Sequence, residues 1–335
     1  MLAAVFHGVS EGIKIEEIPV PHPEKEDDIL IQVKSCGICG TDLSILDGID
    51  IWISSNKTIT IPVVLGHEAA GKIVEIGNGV TEFNIGDHVV VDVGIACGSC
   101  ENCRSLKMKL CKNIYSLGAD RNGAFAEYLL VPKQSVHKIP KEMSWDIAFL
   151  AEPLACIVNG LQKSRLQSGE NVAVFGAGPM GMLMINLLRG TGAGKIISVE
   201  LNENRRNLAK LMGADYIINP DEKDPVDEIS KITGGGSDIS IELTGNITAT
   251  NQAIHSTGYS GRTIIIGETF SDAQASFSPF EILRYQKEIL GVFGDDQTFI
   301  QAIKILQSGI INTDKIVSHK LSLNDINRGF DMARK

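Results

Sequence analysis

The chain has 335 residues, of which 43% are hydrophobic and 21% charged, and carries a formal net charge of −10. That length exceeds the usual size of one hydrophobic core, so two domains are expected, and the composition is that of a globular rather than a disordered protein. The acidic balance argues against non-specific attraction to nucleic acid or anionic membrane, and no apolar run approaches a bilayer span. The N-terminus also lacks a basic region followed by an apolar stretch, so a cytoplasmic protein acting on small molecules is expected.

Residues 1–131 contain short Val- and Ile-rich runs broken by glycines, as at 29–33, 71–76 and 88–93. These predict short strands with tight turns in a compact barrel-like domain. Residues 147–161 predict a helix. Residues 172–175 then predict a buried strand, followed by a Gly-rich turn and a helix at 180–188, which is β-α-β punctuation. Strands at 196–199, 216–218, 239–242 and 263–266, with a helix at 202–211, make the middle of the chain a doubly wound α/β domain. From about residue 291 the tail holds an amphipathic helix at 299–307 and a last helix at 323–333.

Seven cysteines are present, and four of them, Cys97, Cys100, Cys103 and Cys111, form C-x2-C-x2-C-x7-C. In a reducing compartment such crowding points to metal rather than disulfides. One short loop can wrap four thiolates around a tetrahedral ion, so a closed structural zinc site is expected, an iron–sulfur cluster being the other occupant of such a run. Arg104, Lys107, Lys109 and Lys112 lie in the same loop and would offset the net negative charge.

Three further segments each supply a typical zinc ligand: Cys36-Gly-Ile-Cys39-Gly-Thr41-Asp42, Gly66-His67-Glu68, and Glu152-Pro153-Leu-Ala-Cys156. Taken singly they have ordinary readings as a packed thiol, a hydrogen-bonded histidine and a helix start. Taken together, Cys39, His67 and a carboxylate would make a catalytic zinc site with an open position.

Gly176-Ala-Gly178-Pro179-Met180-Gly181 is G-x-G-x-x-G placed between a predicted strand and a predicted helix, the setting in which this motif receives a dinucleotide pyrophosphate. Glu200 ends the next strand, where an acidic residue binds the ribose hydroxyls and repels a 2′-phosphate, so NAD is preferred to NADP. Arg205 and Arg206 temper that preference, because an arginine nearby accommodates the phosphate or packs on the adenine.

In this order, Cys39-Gly40-Thr41-Asp42, Gly66-His67-Glu68, the four-cysteine lobe, Glu152-Pro153 and the Gly176 turn resemble the zinc-containing medium-chain dehydrogenase/reductase family end to end, most of all its sorbitol (polyol) and threonine dehydrogenase branch. The resemblance implies a GroES-like catalytic domain at 1–148 with a structural zinc lobe at 94–113. It also implies a Rossmann NAD-binding domain at 149–290, a return to the catalytic domain at 291–335, and a homotetramer or homodimer. It assigns Cys39 and His67 as catalytic zinc ligands, with Glu68 and Glu152 as carboxylates that bind directly or through water. Cys156 falls near the position where other branches carry a cysteine ligand. Thr41 matches the hydroxyl that begins a proton relay, whereas Ser44 stands where several relatives have histidine, and Cys36 is read as packing. Gly176, Gly178, Pro179, Met180, Gly181, Glu200 and Arg205 are the expected cofactor residues.

The expected reaction is zinc-assisted hydride transfer from a secondary alcohol, a polyol or sugar alcohol, to NAD, giving a ketone. The alternatives are a threonine-type or simple alcohol dehydrogenase, or a phosphorylated-polyol dehydrogenase in which Arg284 or Lys287 meets the phosphate. Phe270, Phe277 and Phe293 are either pocket or core residues. A non-catalytic dinucleotide-binding protein is the contrasting reading.

Overall fold

The computed structural model describes residues 1–49, 59–295 and 297–334. The chain forms two compact units, one of Met1–Pro153, Phe299–Gln307 and His319–Lys335, the other of Leu154–Thr298 and Ser308–Ser318. The division falls at Pro153/Leu154 rather than at 148/149, and Ser308–Ser318 groups with the second unit, so the tail is shared between the two.

The first unit is built on antiparallel strands: β1 (Leu2–Phe6), β2 (Ile13–Glu17), β3 (Asp28–Gly37), β4 (Val63–Val64), β5 (Glu68–Ile76), β6 (His88–Val91), β7 (Gly94–Ile95), β8 (Tyr115–Ser116), β9 (Tyr128–Pro132) and β10 (Val136–Lys138). They pair as a three-stranded sheet β2-β1-β4, a five-stranded sheet β10-β6-β5-β3-β9 and the small pair β7-β8. Successive strand side chains alternate in direction, so Ile29 and Ile31, Val89 and Val91, and Leu129 and Val131 fall on one face, where they are buried with Ile73. Burial of each such side chain favours folding by about 1.5–3 kcal/mol. A second cluster joins Val5, Phe6, Leu65 and Phe125 to Phe330 on the tail helix Ile326–Ala333. Phe125 and Phe330 meet edge to face with ring centroids 5.7 Å apart.

Three short helices, α1 (Gly40–Leu46), α2 (Glu101–Arg104) and α3 (Trp145–Ala148), lie in this unit, and the longer α4 (Ala151–Ser164) follows them. The helix predicted at 147–161 is therefore two helices. Pro153 has no N–H to donate to the Phe149 carbonyl four residues earlier, and that carbonyl accepts from Glu152 N–H instead, so a regular helix cannot run through.

The second unit is a parallel six-stranded sheet of β11 (Val172–Phe175), β12 (Ile196–Val199), β13 (Tyr216–Ile218), β14 (Ser237–Glu242), β15 (Thr257–Ile265) and β16 (Glu288–Gly291), in the order β13-β12-β11-β14-β15-β16. All four residues of β11 and all four of β12 are buried, as expected of strands covered on both faces. The intervening helices are α5 (Pro179–Arg189), α6 (Glu203–Met212), α7 (Pro225–Thr233), α8 (Ile247–Ser256) and α9 (Pro279–Tyr285). Their starts follow capping chemistry: Asn202, Asp224 and Asn246 side chains accept N–H bonds from the first turns of α6, α7 and α8. Strand order reverses between β11 and β14, the switch point at which open α/β sheets bind ligands.

β14 and β15 begin two and six residues before the predicted strands at 239–242 and 263–266. Ser237 and Thr257 lie outside those predicted strands, yet both are buried with Ser240 and Thr263, because the four hydroxyls bond one another at 2.8–3.0 Å and so need no water. Among the described residues, no helix is long and apolar enough to cross a membrane.

Candidate metal centres and dinucleotide turn

The antiparallel ladder of β3 and β5 pairs Cys36 with Ala69 and Gly37 with Glu68. The chain leaving β3 therefore reaches Cys39 beside the residues that open β5. Gly66 makes the turn into β5 with φ +87, and a Cβ there would lie 2.7 Å from the Phe125 ring, so only glycine lets the backbone pass. The ligand atoms of Cys39, His67 and Glu68 all lie within 4.8 Å of one another.

Asp42 organises this group from below. It is completely buried, accepting from Cys39 N–H at 2.9 Å and from Gly66 N–H at 3.1 Å, and its Oδ1 lies 3.6 Å from His67 Nδ1. One carboxylate thus joins the start of α1, the turn before β5 and the Nδ1 side of the imidazole, an arrangement in which Nε2 is the nitrogen that would meet a metal. In the sequence Asp42 stands only as the last residue of Cys39-Gly40-Thr41-Asp42. The spacing Cys39-x-x-Asp42, with an acid three residues after a helix N-cap, is the capping-box signal that marks it.

Burial, with the neighbouring Asp42 and Glu152 carboxylates, pushes the Cys39 thiol up to about 12. Glu68 is held well above the usual carboxylate range, chiefly by burial and by Cys39. Burial disfavours the His67 cation, but Asp42, Glu152 and Glu68 outweigh it and leave its pKa raised. Anions in this group are thus costly without a counter-charge, the setting that a divalent cation relieves, and sulfur, imidazole and carboxylate together are a zinc donor set. Gly37 completes the fit: a Cβ there would lie 1.9 Å from Glu68 Oε2, so the missing side chain makes the space that the carboxylate occupies.

Glu152, in the first turn of α4, is buried and acts on Cys39 and His67 through its charge, while Cys156 follows one turn later, half-buried. Thr41 Oγ1 lies 3.6 Å from Cys39 Sγ, and Ser44 sits one turn further along α1. Cys36 is half-buried, its thiol pushed well up by desolvation and by Asp42 and Glu68, and it donates weakly to the Gly37 carbonyl at 3.5 Å.

The second cluster gathers Cys97, Cys100, Cys103 and Cys111 within 4.8 Å. Its Sγ–Sγ separations include 3.5 Å for Cys100–Cys103, 3.8 Å for Cys100–Cys111 and 3.9 Å for Cys97–Cys103. A tetrahedral zinc with Zn–S bonds of about 2.3 Å requires sulfurs about 3.8 Å apart. An iron–sulfur cluster sets its cysteines wider apart, because several metal and sulfide atoms lie between them. Backbone N–H groups of Cys97 and Asn113 both donate to Cys111 Sγ at 3.3 Å and offset part of the negative charge. Lys109 of the same loop is instead paired with Asp92 at 2.5 Å.

In the second unit Gly176 turns the chain out of β11 with φ +92, and Gly178 caps α5, whose first residue is Pro179. A Cβ on Gly181 would lie 2.0 Å from the Gly176 carbonyl oxygen, so the helix packs on the turn only because none is there. Met180 follows in the first turn. Glu200, buried at the end of β12, accepts from Ala177 N–H at 2.7 Å and from Asn202 N–H at 2.8 Å. Arg205 opens α6 through its backbone bond to Asn202, and Arg206 donates to the Glu200 and Leu201 carbonyls. Phe270, Phe277 and Phe293 are exposed rather than core. Lys287, only 7% exposed, is committed to Glu281 at 3.4 Å, which leaves Arg284 as the other candidate for a phosphate.

Residues 25–141 match the family described as alcohol dehydrogenase GroES-like domain, and residues 179–308 match that described as zinc-binding dehydrogenase. The chain belongs to the zinc-containing medium-chain dehydrogenases. It is 38% identical to an L-threonine 3-dehydrogenase of Pyrococcus horikoshii over 323 residues, 96% of this chain and 89% of that one. It is 35% identical to a sorbitol dehydrogenase of Bacillus subtilis over 335 residues, 99% and 93% of the two chains. Among solved structures, a zinc-binding dehydrogenase from Sinorhizobium meliloti bound to NADP superposes with a TM-score of 0.92 at 32% identity, covering 98% of this chain and 94% of that one. This medium-chain dehydrogenase therefore joins a GroES-like domain to a Rossmann-type domain and is a zinc-dependent alcohol dehydrogenase, which sets aside the non-catalytic reading.

Proposed function

We propose that this enzyme oxidises a secondary alcohol of a polyol or sugar alcohol to the ketone, with NAD as hydride acceptor. The observation that carries the reading is the buried Cys39–His67–Glu68 group braced by Asp42. Zinc held there supplies Lewis acidity towards an alcohol oxygen, and NAD supplies the acceptor for the hydride.

The chain's own residues account for the rest. Thr41 Oγ1, beside Cys39 Sγ, would accept the proton of the substrate hydroxyl as its own hydroxyl proton passes to Ser44, one turn along α1, and from there to water. One thiolate, one neutral imidazole and one carboxylate balance a divalent ion, whereas a second carboxylate would leave the site anionic and a weaker acidifier. Glu68 is therefore assigned the direct role, and Glu152 acts at longer range or through water. Glu200 is assigned the adenosine ribose, and its charge opposes a 2′-phosphate; NAD is preferred although a structural relative holds NADP.

L-Threonine is the second reading, favoured by the 38% identity to a threonine dehydrogenase over 96% of the chain. Both substrates present a secondary carbinol next to a carbon bearing oxygen or nitrogen. Initial rates with NAD and with NADP across sorbitol, xylitol, their phosphates, L-threonine and 2-propanol separate the readings. Activity confined to 2-propanol defeats both.

A homo-oligomer and a cytoplasmic location belong to the same proposal. Exposed Tyr259, Phe280 and Leu283 lie on β15 and α9 near the open edge of the sheet at β16, and Tyr259 and Phe280 both stack edge-on against Tyr285. Among the described residues none of the seven cysteines is in a disulfide, as a reducing compartment would keep them. Light scattering of the purified protein reads the oligomer directly.

A further inference from the structure

One buried acid is left unused by the reaction above. Glu242 ends β14 with no exposed surface, and among the described residues it has no cationic partner. Desolvating a carboxylate is unfavourable unless it is fully hydrogen-bonded, so its position calls for a reason. Its Oε1 accepts from Thr244 N–H at 2.6 Å, from the Thr244 hydroxyl and from Gly245 N–H at 3.1 Å, while Oε2 lies 3.3 Å from Gly245 N. Every bond therefore goes to the loop that follows its own strand.

That loop lies at the switch point. The register Phe175↔Glu242 puts the end of β14 level with the end of β11, and Leu243 N–H donates to the Phe175 carbonyl. Thr244 Cγ2 would lie 2.6 Å from a Cβ on Gly176, so the methyl packs against the dinucleotide turn itself. On the far side, a Cβ on Gly267 would lie 2.2 Å from Gly245 N and 2.6 Å from Glu242 Oε2, so the loop after β15 is packed backbone to backbone on the same carboxylate. Three loops at the carboxyl ends of β11, β14 and β15 thus meet around one acid. On the other flank of β11, Glu200 holds the same turn through Ala177 N–H. The two acids stand on opposite neighbours of β11, one in each mononucleotide half of the sheet.

We propose that Glu242 is a positioning residue for the nicotinamide half of the dinucleotide: by holding Thr244 and Gly245 against Gly176 and Gly267, it shapes the β14 side of the crevice, as Glu200 shapes the adenosine side. The inference rests on the nicotinamide-dependent reading of the enzyme and adds a division of labour between the two acids. In Glu242→Gln the acid is replaced by a neutral amide, and the acceptor facing Gly245 N at Oε2 becomes an NH₂ group, so the loop is held less firmly.

Equilibrium binding tests this without turnover. The dissociation constant for NADH is read from its fluorescence, and that for AMP, which presents the adenosine half alone, from calorimetry. For Glu242→Gln the NADH constant is expected to rise at least tenfold, with the AMP constant within twofold of the parent protein. An unchanged NADH constant overturns the proposal, and so does equal weakening of both ligands, since that reports damage to the whole domain. If Glu242→Gln does not fold, Thr244→Val decides: it keeps the shape but removes the hydroxyl donor, and a rise of about threefold for NADH alone is expected. No change in Thr244→Val overturns the proposal. A parent protein that binds neither ligand refutes the cofactor reading itself, a result distinct from failure of the Glu242 assignment.

Discussion

The two metal-type clusters are made in opposite ways. Cys97, Cys100, Cys103 and Cys111 come from fifteen consecutive residues, and sulfur separations of 3.5–3.9 Å among them already match a closed tetrahedron. Cys39, His67 and Glu68 are drawn together by the β3–β5 ladder and held by a buried acid belonging to none of the three. A site closed by four like ligands within one loop stabilises that loop. A site assembled from different strands, with mixed ligands and one position left over, is suited to chemistry. Both clusters offer ordinary zinc donors, so what sets the second apart is the tertiary support around it.

The largest test of that contrast is Cys39→Ser. Loss of the thiolate should lower kcat at least 10³-fold while leaving NADH binding and circular dichroism unchanged, because the mutation touches the assembled site alone. A simultaneous loss of NADH binding would mean that Cys39 also supports the fold.

Cys103→Ser should do the reverse. Zinc measured by atomic emission is expected to fall from two to one per chain, and the melting temperature by on the order of 10 °C, with kcat of the surviving folded protein reduced only a few-fold. An unaltered melting temperature would remove the structural role from the lobe.

Asp42→Asn sharpens the comparison, since it leaves every ligand in place and weakens only the brace. Metal affinity or kcat should drop by about 10–100-fold, with KM for the alcohol changing less. A drop as deep as that of Cys39→Ser would make Asp42 part of the reacting group rather than its support.

The smallest expected effect lies in the other unit. Glu200→Ala should raise KM for NAD about tenfold and bring NADP closer to parity, with kcat within a few-fold. An unchanged preference between the two cofactors would detach Glu200 from the ribose.

Much of this organisation was readable from the chain, wherever the chemistry is local. The four-cysteine spacing and the Gly176 turn each depend on residues that are neighbours in sequence, so spacing alone carries the geometry. The parallel strands were visible as short apolar runs because both faces are covered. The break between α3 and α4 was hidden by the apolar run across it and came from the missing N–H of Pro153. The early starts of β14 and β15 were hidden because Ser and Thr satisfy one another inside the sheet, a pairing that composition does not display.

The candidate ligand residues, the Gly176 turn and the two-domain α/β class are legible in the chain alone, since these follow from residue chemistry and short-range spacing. Folding adds that Glu68 stands with Cys39 and His67, that Asp42 braces them, and that Glu242 lies beside the switch point. Those outcomes depend on strand register and burial, which bring together residues tens of positions apart and set the energetic cost of each charge.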